Sequence, residues 1–188
     1  MLRSPLLCTA SLLLLAGTAA GQDAKETGRW AKEMEAFSKA DRSEPAEPAG
    51  VVFVGSSSIR MWDLEKSFPE LEPAPLNRGF GGSQMKDSLE HVELLVLRHK
   101  PRLVVVYAGD NDIKAGKSPE RVASDFAKLT ERITKELPET RIAYIAIKPS
   151  LSRWNLADKM IEANRLIAQQ CAKNEQLTMV DVWKPMLG

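Results

Sequence analysis

Three short runs of apolar residues constrain the fold of this chain more than any other feature. They are GVVFVG at 50–55, PRLVVVYAG at 101–109 and TRIAYIAI at 140–147, and β-branched and aromatic residues fill most of their positions. Strands that are apolar on both faces belong in a parallel sheet that helices cover on both sides. The sequence therefore predicts an α/β fold, a three-layer sandwich around a central parallel sheet of the flavodoxin-like kind.

The other elements follow from the same patterns of apolar residues. A short strand is expected in PLNRGF and a last one in QLTMVDVW. Amphipathic helices are expected where apolar residues recur at helical spacing. These segments are 27–43, 83–100, 118–137 and 156–174. Helices and strands therefore alternate along most of the chain, with one continuous helix over 83–100.

The first 20 residues have the composition of a secretory signal peptide. One positive charge, Arg3, precedes the apolar run LLCTASLLLLAG, and small residues follow it. That run is shorter than the roughly 20 residues that a membrane span needs, so no stable membrane anchor is expected. A buried amino-terminal helix is the alternative. We expect a secreted or periplasmic protein in three parts: the signal peptide at 1–20, an amino-terminal helix and linker at 21–50, and one domain at 51–188.

Charge and cysteine content exclude some partners. The chain has 26 basic and 25 acidic residues, and Arg3 is the one charge of the predicted signal peptide, so the mature chain is neutral. Proteins that bind nucleic acid or anionic lipid carry an excess of Lys and Arg, and we therefore expect no nucleic-acid partner. Cleavage leaves one cysteine, Cys171, so no internal disulfide is expected. Nothing in the sequence indicates the oligomeric state.

Polar loops follow the first three predicted strands: GSSS, NRGFGGS and AGDND. Ligands of such a sheet bind beyond the carboxyl ends of its strands, so the three loops are expected to meet at one edge. Each loop has a simpler interpretation, because the serines could cap a helix, the glycines could hold a phosphate, and Asp110 and Asp112 could bind a metal. The glycine loop lacks the lysine of a P-loop, and no histidine or third acid accompanies the two aspartates. We therefore expect neither a phosphate cradle nor a metal.

In this order the loops resemble the blocks of the SGNH or GDSL-type hydrolases, and the resemblance runs from about Val51 to the end of the chain. The family's first block is Gly-Asp-Ser after the first strand, and GSSS is similar to it with Ser56 in place of the aspartate. The second block, Asn-x-Gly-x-x-Gly, is matched by NRGFGG, and the third, Gly-x-Asn-Asp, by GDND. The resemblance implies the SGNH hydrolase fold for the sheet predicted above.

The resemblance also implies roles for three residues. Ser57 is the implied nucleophile, and the backbone N–H groups of Ser57 and Gly82 with the side-chain amide of Asn111 form the implied oxyanion hole. Such donors stabilise the negative charge that develops on the carbonyl oxygen during acyl transfer. The implied reaction is the cleavage of carboxylic esters through an acyl-serine intermediate, without a metal or cofactor. Small acyl esters are the implied substrates, including acetylated carbohydrates or lysophospholipids.

The family's fourth block, a late Asp-x-x-His that supplies the base, is missing from the sequence. The two histidines, His91 and His99, both belong to the predicted helix at 83–100. His99 is expected to interact with the end of that helix and His91 to lie on a solvated face, so neither is expected to be the base. Asp181 has no histidine three residues later. We therefore expect a chain truncated before the fourth block, with little or no activity of its own.

Four further residues are candidates for the substrate rim. Arg60 and Trp62 follow the predicted nucleophile, and Trp62 could equally pack in the core. Arg153 and Trp154 follow the fourth predicted strand, whose end opens on the same edge of the sheet. Two other functions stay open for this fold: a non-catalytic protein that binds carbohydrate or peptidoglycan, and a pseudoenzyme.

Overall fold

A parallel sheet of five strands forms the centre of the molecule. The computed structural model describes residues 28–45, 48 and 50–187, so the predicted signal peptide lies outside the described residues. The strands are β1 (Val51–Gly55), β2 (Leu76–Gly79), β3 (Leu103–Tyr107), β4 (Arg141–Ile145) and β5 (Leu177–Val180). Neighbouring strands pair in parallel in the order β2-β1-β3-β4-β5. The predicted α/β fold with a central parallel sheet is confirmed.

Helices surround this sheet in the described part of the chain. They are α1 (Ala31–Ser43), α2 (Ser57–Arg60), α3 (Leu64–Ser67), α4 (Met85–Glu90), α5 (Val92–Leu95), α6 (Asp110–Lys114), α7 (Pro119–Glu136) and α8 (Ala157–Cys171). Two 3-10 segments add to them, Leu97–His99 and Leu151–Leu156. None of the helices in these described residues is long and apolar enough to cross a membrane.

Different helices bury the two faces of the sheet. Because successive side chains of a strand point to opposite faces, β1 sends Val52 and Val54 to a larger core and Phe53 to a smaller one. The larger core also takes buried residues of α1, α4, α5, α7 and α8. The smaller core takes Ile59 of α2 and Leu64 of α3. Both faces are covered, which explains why β1 and β3 are apolar at almost every position.

The prediction of one continuous helix over 83–100 is wrong. The backbone leaves the helical region at His91, with φ −102° and ψ 17°, and α4, α5 and a 3-10 turn take the place of that helix. Residues 94–97 are four consecutive apolar side chains, and all four are buried. One face of a continuous helix cannot bury four consecutive side chains, so the chain breaks and turns to bury them.

Helix α1 packs directly on the domain. Met34 is fully buried in the larger core, and Trp30, just before the helix, meets Phe80 with ring centroids 5.3 Å apart. Asp41 forms an ion pair with the buried Arg78 of β2. The segment that precedes β1 therefore contributes to the same core as the rest of the described chain.

Candidate active site

The order of the strands opens a crevice at the carboxyl edge of the sheet. The chain passes from β1 outwards to β2 and then returns to β3 on the other side of β1. Connections therefore leave the ends of β1 and β3 in opposite directions, which is where open parallel sheets bind their ligands. Gly55, at the end of β1, pairs with Gly79 on one side and Tyr107 on the other. The three polar loops that follow these residues are thus neighbours, as predicted.

Hydrogen bonds between the loops fix their relative positions. The Ser83 hydroxyl and the Phe80 N–H both donate to the carbonyl oxygen of Gly55, at 3.1 and 2.9 Å. The Ser56 N–H donates to the carbonyl of Tyr107 at 3.0 Å. Gly55 leaves no room for a side chain here, because a Cβ atom would lie 1.9 Å from the Tyr107 carbonyl oxygen. The loops after β1, β2 and β3 therefore form one hydrogen-bonded unit.

The three adjacent serines differ in what surrounds them. Ser56 occupies the N-cap position of α2 but makes no side-chain capping bond, and its fully buried hydroxyl has no hydrogen-bond partner among the described residues. Ser58 is half-buried at the second position of α2, near Tyr107, whose pKa is raised by burial first and by Asp110 second, so that this phenol stays protonated. Ser57, the predicted nucleophile, is half-buried and begins α2. Of the three, Ser57 combines partial exposure with a position at the start of the helix.

Two backbone donors predicted for the oxyanion hole lie on neighbouring loops and have no acceptor among the described residues. Within residues 50–187, neither the Ser57 N–H nor the Gly82 N–H donates to any protein acceptor. Gly82 has a φ of +78°, a left-handed conformation that a residue with a side chain adopts only at a cost. Free N–H groups at the first turn of a helix and in a tight glycine turn are typical binding groups for developing negative charge.

The side chain of Asn111 is held from both ends. Its Nδ2 donates to the Ser83 carbonyl at 3.0 Å, and its Oδ1 accepts from Arg153 at 3.1 Å. Arg153 also donates to Asp110 at 2.8 Å. An amide nitrogen carries two hydrogens, so Asn111 keeps one donor beyond the bond to Ser83. The predicted rim residue Arg153 thus orients the predicted oxyanion amide.

The second aspartate of this loop has a structural role. Asp112 is fully buried, accepts a 2.8 Å hydrogen bond from Lys117 and faces the Met85 N–H at 3.1 Å, at the start of α4. Burial raises the pKa of Asp112, and Lys117 opposes that shift. Asp110 and Asp112 are therefore each engaged with a cation. In the part of the chain that the structure describes, no group of three or more potential metal ligands occurs.

Neither histidine contacts the predicted nucleophile. His99 lies before β3, at the amino edge of the sheet, whereas Ser57 follows the carboxyl end of β1. Its Nε2 lies 3.1 Å from the Leu94 carbonyl and 3.7 Å from Asp41. The ring of His91 lies edge-on to Phe80, with centroids 6.4 Å apart, in a groove beside Arg29. The described residues therefore place no imidazole against Ser57.

The remaining rim candidates occupy different surroundings. Trp62 packs between Phe53 and Phe68 in the smaller core, and its indole N–H donates to Ser67 at 2.8 Å. Trp154 is half exposed and stacks with Trp183, ring centroids 6.4 Å apart. The guanidinium of Arg60 lies against Gly81, beside the predicted oxyanion donor. Of the two residues predicted after Ser57, Arg60 borders the edge and Trp62 packs away from it.

Sequence reasoning missed two residues that build this site. Ser83 joins the second loop to the first and accepts from Asn111 in the third, and Lys117 neutralises Asp112. Ser83 directly follows the block NRGFGG, and the motif assigns no role to that position. Lys117 lies in a short turn after α6, and no sequence signal links it to a buried aspartate.

Comparisons with known proteins agree with this architecture. The family model of the GDSL-like lipase/acylhydrolase family matches residues 64–188, which include the second and third loops. No curated protein matches the chain. Solved structures of similar fold include a protein from Streptococcus pneumoniae named as a platelet activating factor, with a TM-score of 0.72 and 19% identity over 81% of this chain and 74% of that one.

Two further solved structures resemble the chain to a similar extent. A GDSL-like lipase from Bacteroides thetaiotaomicron has a TM-score of 0.65 and 20% identity over 81% of this chain and 79% of that one. A carbohydrate esterase of family 3 from Talaromyces cellulolyticus has a TM-score of 0.59 and 16% identity over 73% of this chain and 81% of that one. At such identities the likeness concerns the fold.

The doubly wound parallel sheet, with its three polar loops at the carboxyl edge, has the architecture of the SGNH hydrolases. The family model matches residues 64–188, so the chain belongs to the GDSL-like lipase/acylhydrolase family.

Proposed function

We propose that this chain is a serine hydrolase that cleaves carboxylic esters through an acyl-serine intermediate on Ser57. The hydroxyl oxygen of Ser57 attacks the ester carbonyl, the alcohol leaves with a proton, and water then hydrolyses the acyl-serine to release the acid. The substrates are small acyl esters, with acetylated carbohydrates and lysophospholipids as the two candidate classes. Family membership supports hydrolase chemistry in general.

One observation carries this proposal: three adjacent loops each carry a donor that has no acceptor among the described residues. The N–H groups of Ser57 and Gly82 have no acceptor within the described residues, and Asn111 is held so that one amide hydrogen remains unused. Donors that the protein leaves unpaired in a partly exposed position bind water until a ligand replaces it. A set of three, on loops that hydrogen bonds fix to one another, fits a developing negative charge better than it fits a structural role.

Turnover by this chain is expected to be weak. A serine hydroxyl is a poor nucleophile until a base takes its proton, and neither histidine of the described residues contacts Ser57. In serine proteases that lack triad members, the remaining groups still give about 10³–10⁴-fold catalysis over water. We expect hydrolysis of p-nitrophenyl acetate slightly above background, and dependent on Ser57.

Chemical rescue tests the proposal directly. Imidazole in solution can take the proton that no protein histidine takes, so added imidazole should raise the turnover of the chain. Imidazole also cleaves p-nitrophenyl acetate by itself, so Ser57→Ala under the same conditions gives the baseline. A rise in the wild-type chain and none in Ser57→Ala supports the proposal. Identical rates in the two proteins at every imidazole concentration would contradict it.

Labelling distinguishes Ser57 from its neighbours. A fluorophosphonate should bond to the oxygen of Ser57, with fluoride as the leaving group. Trypsin cleaves after Arg42 and Arg60, so all three serines lie in one peptide and fragment ions must locate the label. Ser56→Ala and Ser58→Ala are the matched controls and should keep the label. A label on either of these two residues would overturn the assignment of Ser57.

A non-catalytic protein that binds carbohydrate is the second candidate. The observation that favours it is that no histidine of the described residues contacts Ser57, so the donors could serve a ground-state ligand. Such a protein would bind acetylated oligosaccharides with equal affinity before and after Ser57→Ala and would show no imidazole-dependent turnover. The rescue experiment therefore separates the two functions.

We also propose that the protein is exported. The pattern of the first 20 residues supports this, with cleavage expected after Ala20. Amino-terminal sequencing of the protein recovered from cells should find Gly21 as the first residue, in the periplasm or the medium. A cytoplasmic protein that keeps its first 20 residues would contradict the proposal.

A further inference from the structure

We propose that this site takes esters that carry a carboxylate, and that Arg60 is the residue that recognises that anionic group. The inference rests on the proposed function, because it names the substrate class of the same site. It depends on where the Arg60 guanidinium lies, on what holds it there and on the lack of an acidic partner.

The guanidinium of Arg60 lies flat against the loop that carries the predicted oxyanion donor. A Cβ atom built on Gly81 would meet three guanidinium atoms of Arg60 at 2.9, 2.9 and 3.2 Å. Three nearly equal distances to one point mean that the planar group covers the Gly81 backbone with its face. Its N–H groups then point outwards along the plane. Gly81 directly precedes Gly82, so these donors border the place where the ester carbonyl would bind.

The helical turn that carries Arg60 is fixed to the sheet. The side chain of Asn77 donates to the carbonyls of Ile59 and Trp62, at 2.8 and 3.1 Å, one on each side of Arg60. A Cβ atom on Gly79 would lie 2.2 Å from the Arg60 backbone nitrogen, so two glycines leave the space that Arg60 occupies. Groups held in place before binding lose less entropy when a ligand arrives.

Arg60 has no acidic partner among the described residues. In the part of the chain that the structure describes, none of its nitrogens lies within ion-pair distance of a carboxylate, and the residue is exposed. Arg153, on the other side of the site, is neutralised by Asp110. An arginine presents a planar fork that matches a carboxylate with two parallel hydrogen bonds. A positive charge without a partner, held flat beside the predicted oxyanion hole, therefore fits a carboxylate on the substrate.

A second arginine borders the same loop, next to Gly82. The guanidinium of Arg29 stacks over Trp30 at 4.4 Å and lies 3.5 Å from where a Cβ of Gly82 would be. Arg29 shares its groove with two acidic residues, Asp87 and Glu90, whereas Arg60 has no carboxylate within ion-pair distance in the described residues. Arg60 is therefore the residue on which the proposal depends, and Arg29 adds to the positive field at the loop.

Matched esters test this proposal. The acyl pair is mono-4-nitrophenyl succinate against 4-nitrophenyl acetate, and the leaving-group pair is 4-acetoxybenzoate against phenyl acetate, all with imidazole present. For each pair, the ratio of kcat/KM for the anionic ester to kcat/KM for the neutral ester is divided by the ratio of their uncatalysed hydrolysis rates. A hydrogen bond to a charged group contributes about 1.5–3 kcal/mol, so this corrected preference should be ~10–100-fold for at least one pair. Arg60→Gln should bring that preference close to one, and Arg60→Lys should keep part of it.

Lys173→Gln is the matched control. It removes one positive charge after α8, near the amino edge of the sheet, and should leave the preference unchanged. Equal kcat/KM values within both pairs in the wild type, or a preference that survives Arg60→Gln, would overturn the proposal. An absence of Ser57-dependent hydrolysis of all four esters would instead contradict the proposed function.

A binding measurement tests the recognition of the carboxylate without any turnover. In ¹⁵N-labelled protein, sodium glucuronate should shift the amide signals of Gly81 and Gly82, whereas glucose with equimolar sodium chloride should not. Arg60→Gln should abolish the shifts and Lys173→Gln should preserve them. Equal effects of glucuronate and glucose, or no shift with either, would contradict an anion site at Arg60.

Discussion

Two polar clusters lie at different places on the same sheet: a buried ion pair holds the first, and backbone N–H groups without an acceptor in the described residues distinguish the second. In the first cluster, the buried Arg78 forms an ion pair with Asp41 and lies over the ring of Phe37. The buried His99 lies against the Leu94 carbonyl and near Asp41. At the carboxyl edge, the N–H groups of Ser57 and Gly82 have no acceptor among the described residues. Both clusters contain an ion pair between an aspartate and an arginine, Asp41 with Arg78 and Asp110 with Arg153.

The difference indicates what each cluster is for. A buried charge must be paired, so the ion pair between Asp41 and Arg78 joins α1 to β2. Donors that the protein leaves unused are instead available to a ligand. Changes at Asp41 should therefore affect folding, and changes at the carboxyl edge should affect chemistry.

The largest effect is expected from Asp41→Ala. Arg78, which is 3% exposed, would lose its main partner and remain as an uncompensated buried charge. Breaking such a pair costs about 3–5 kcal/mol, so the free energy of unfolding in urea should fall by that amount. Glu35→Ala, an exposed change on the same helix, should stay within about 0.5 kcal/mol of the wild type. Equal stabilities of the two variants would remove the contrast between the clusters.

Asn111→Ala should act on chemistry instead. Loss of one oxyanion donor lowers turnover by roughly 10²–10³-fold, and kcat of the Ser57-dependent reaction should fall by that factor with little change in KM. Urea unfolding of the same variant should change far less than that of Asp41→Ala. A loss that appears in KM alone would make Asn111 a ground-state binding residue.

The strands and the edge where the three polar loops meet could be predicted from the sequence, because both depend on local patterns. Runs of β-branched residues form β1 and β3, and the strand order brings the following loops together by a general rule. The motif order predicted that the loops carrying Ser57, Gly82 and Asn111 meet, and hydrogen bonds do join these three loops. These residues remain predictions as catalytic groups, since geometry alone does not measure reactivity.

The Asp41 cluster and the break at His91 could not be predicted, because both depend on contacts between distant parts of the chain. Asp41 and Arg78 are 37 residues apart, and nothing in the local sequence pairs them. The break allows four consecutive apolar residues, 94–97, to be buried. Their run was visible in the sequence, but the apolar residues of the whole segment also have helical spacing, which favoured the prediction of one helix. Local patterns predict elements, whereas packing decides where a helix stops.

Arg153 is expected to have a smaller effect than Asn111, because it acts through the orientation of the Asn111 amide. Arg153→Met removes the hydrogen bond to Oδ1, and we expect kcat to fall about tenfold, within the range for a bond to a charged group. Arg153→Lys keeps the charge but cannot bridge Asp110 and Asn111 as a planar fork, so an intermediate value is expected.

A double-mutant cycle shows whether Arg153 acts through Asn111. In the Asn111→Ala background, Arg153→Met should have almost no further effect on kcat, because the group that Arg153 orients is already absent. Effects that simply multiply would mean that Arg153 works independently, for example by contacting substrate at the rim.

The smallest effect is expected from the titration of His99, since it involves a single proton. Burial lowers the pKa of His99 from its ordinary value, and the positive charges of Arg78 and Arg98 lower it further, while Asp41 and the Leu94 carbonyl act in the opposite direction. The unfolded chain therefore binds this proton at a higher pH than the folded protein does. As the pH falls through about 6.5, the free energy of unfolding should decrease, because protonation favours the unfolded state.

Urea unfolding between pH 7.5 and 5.5 should show this decrease in the wild type and a smaller one in His99→Gln, whose side chain can still donate to the Leu94 carbonyl. Equal slopes would assign the pH dependence to other groups and leave His99 as a neutral packing residue of the Asp41 cluster.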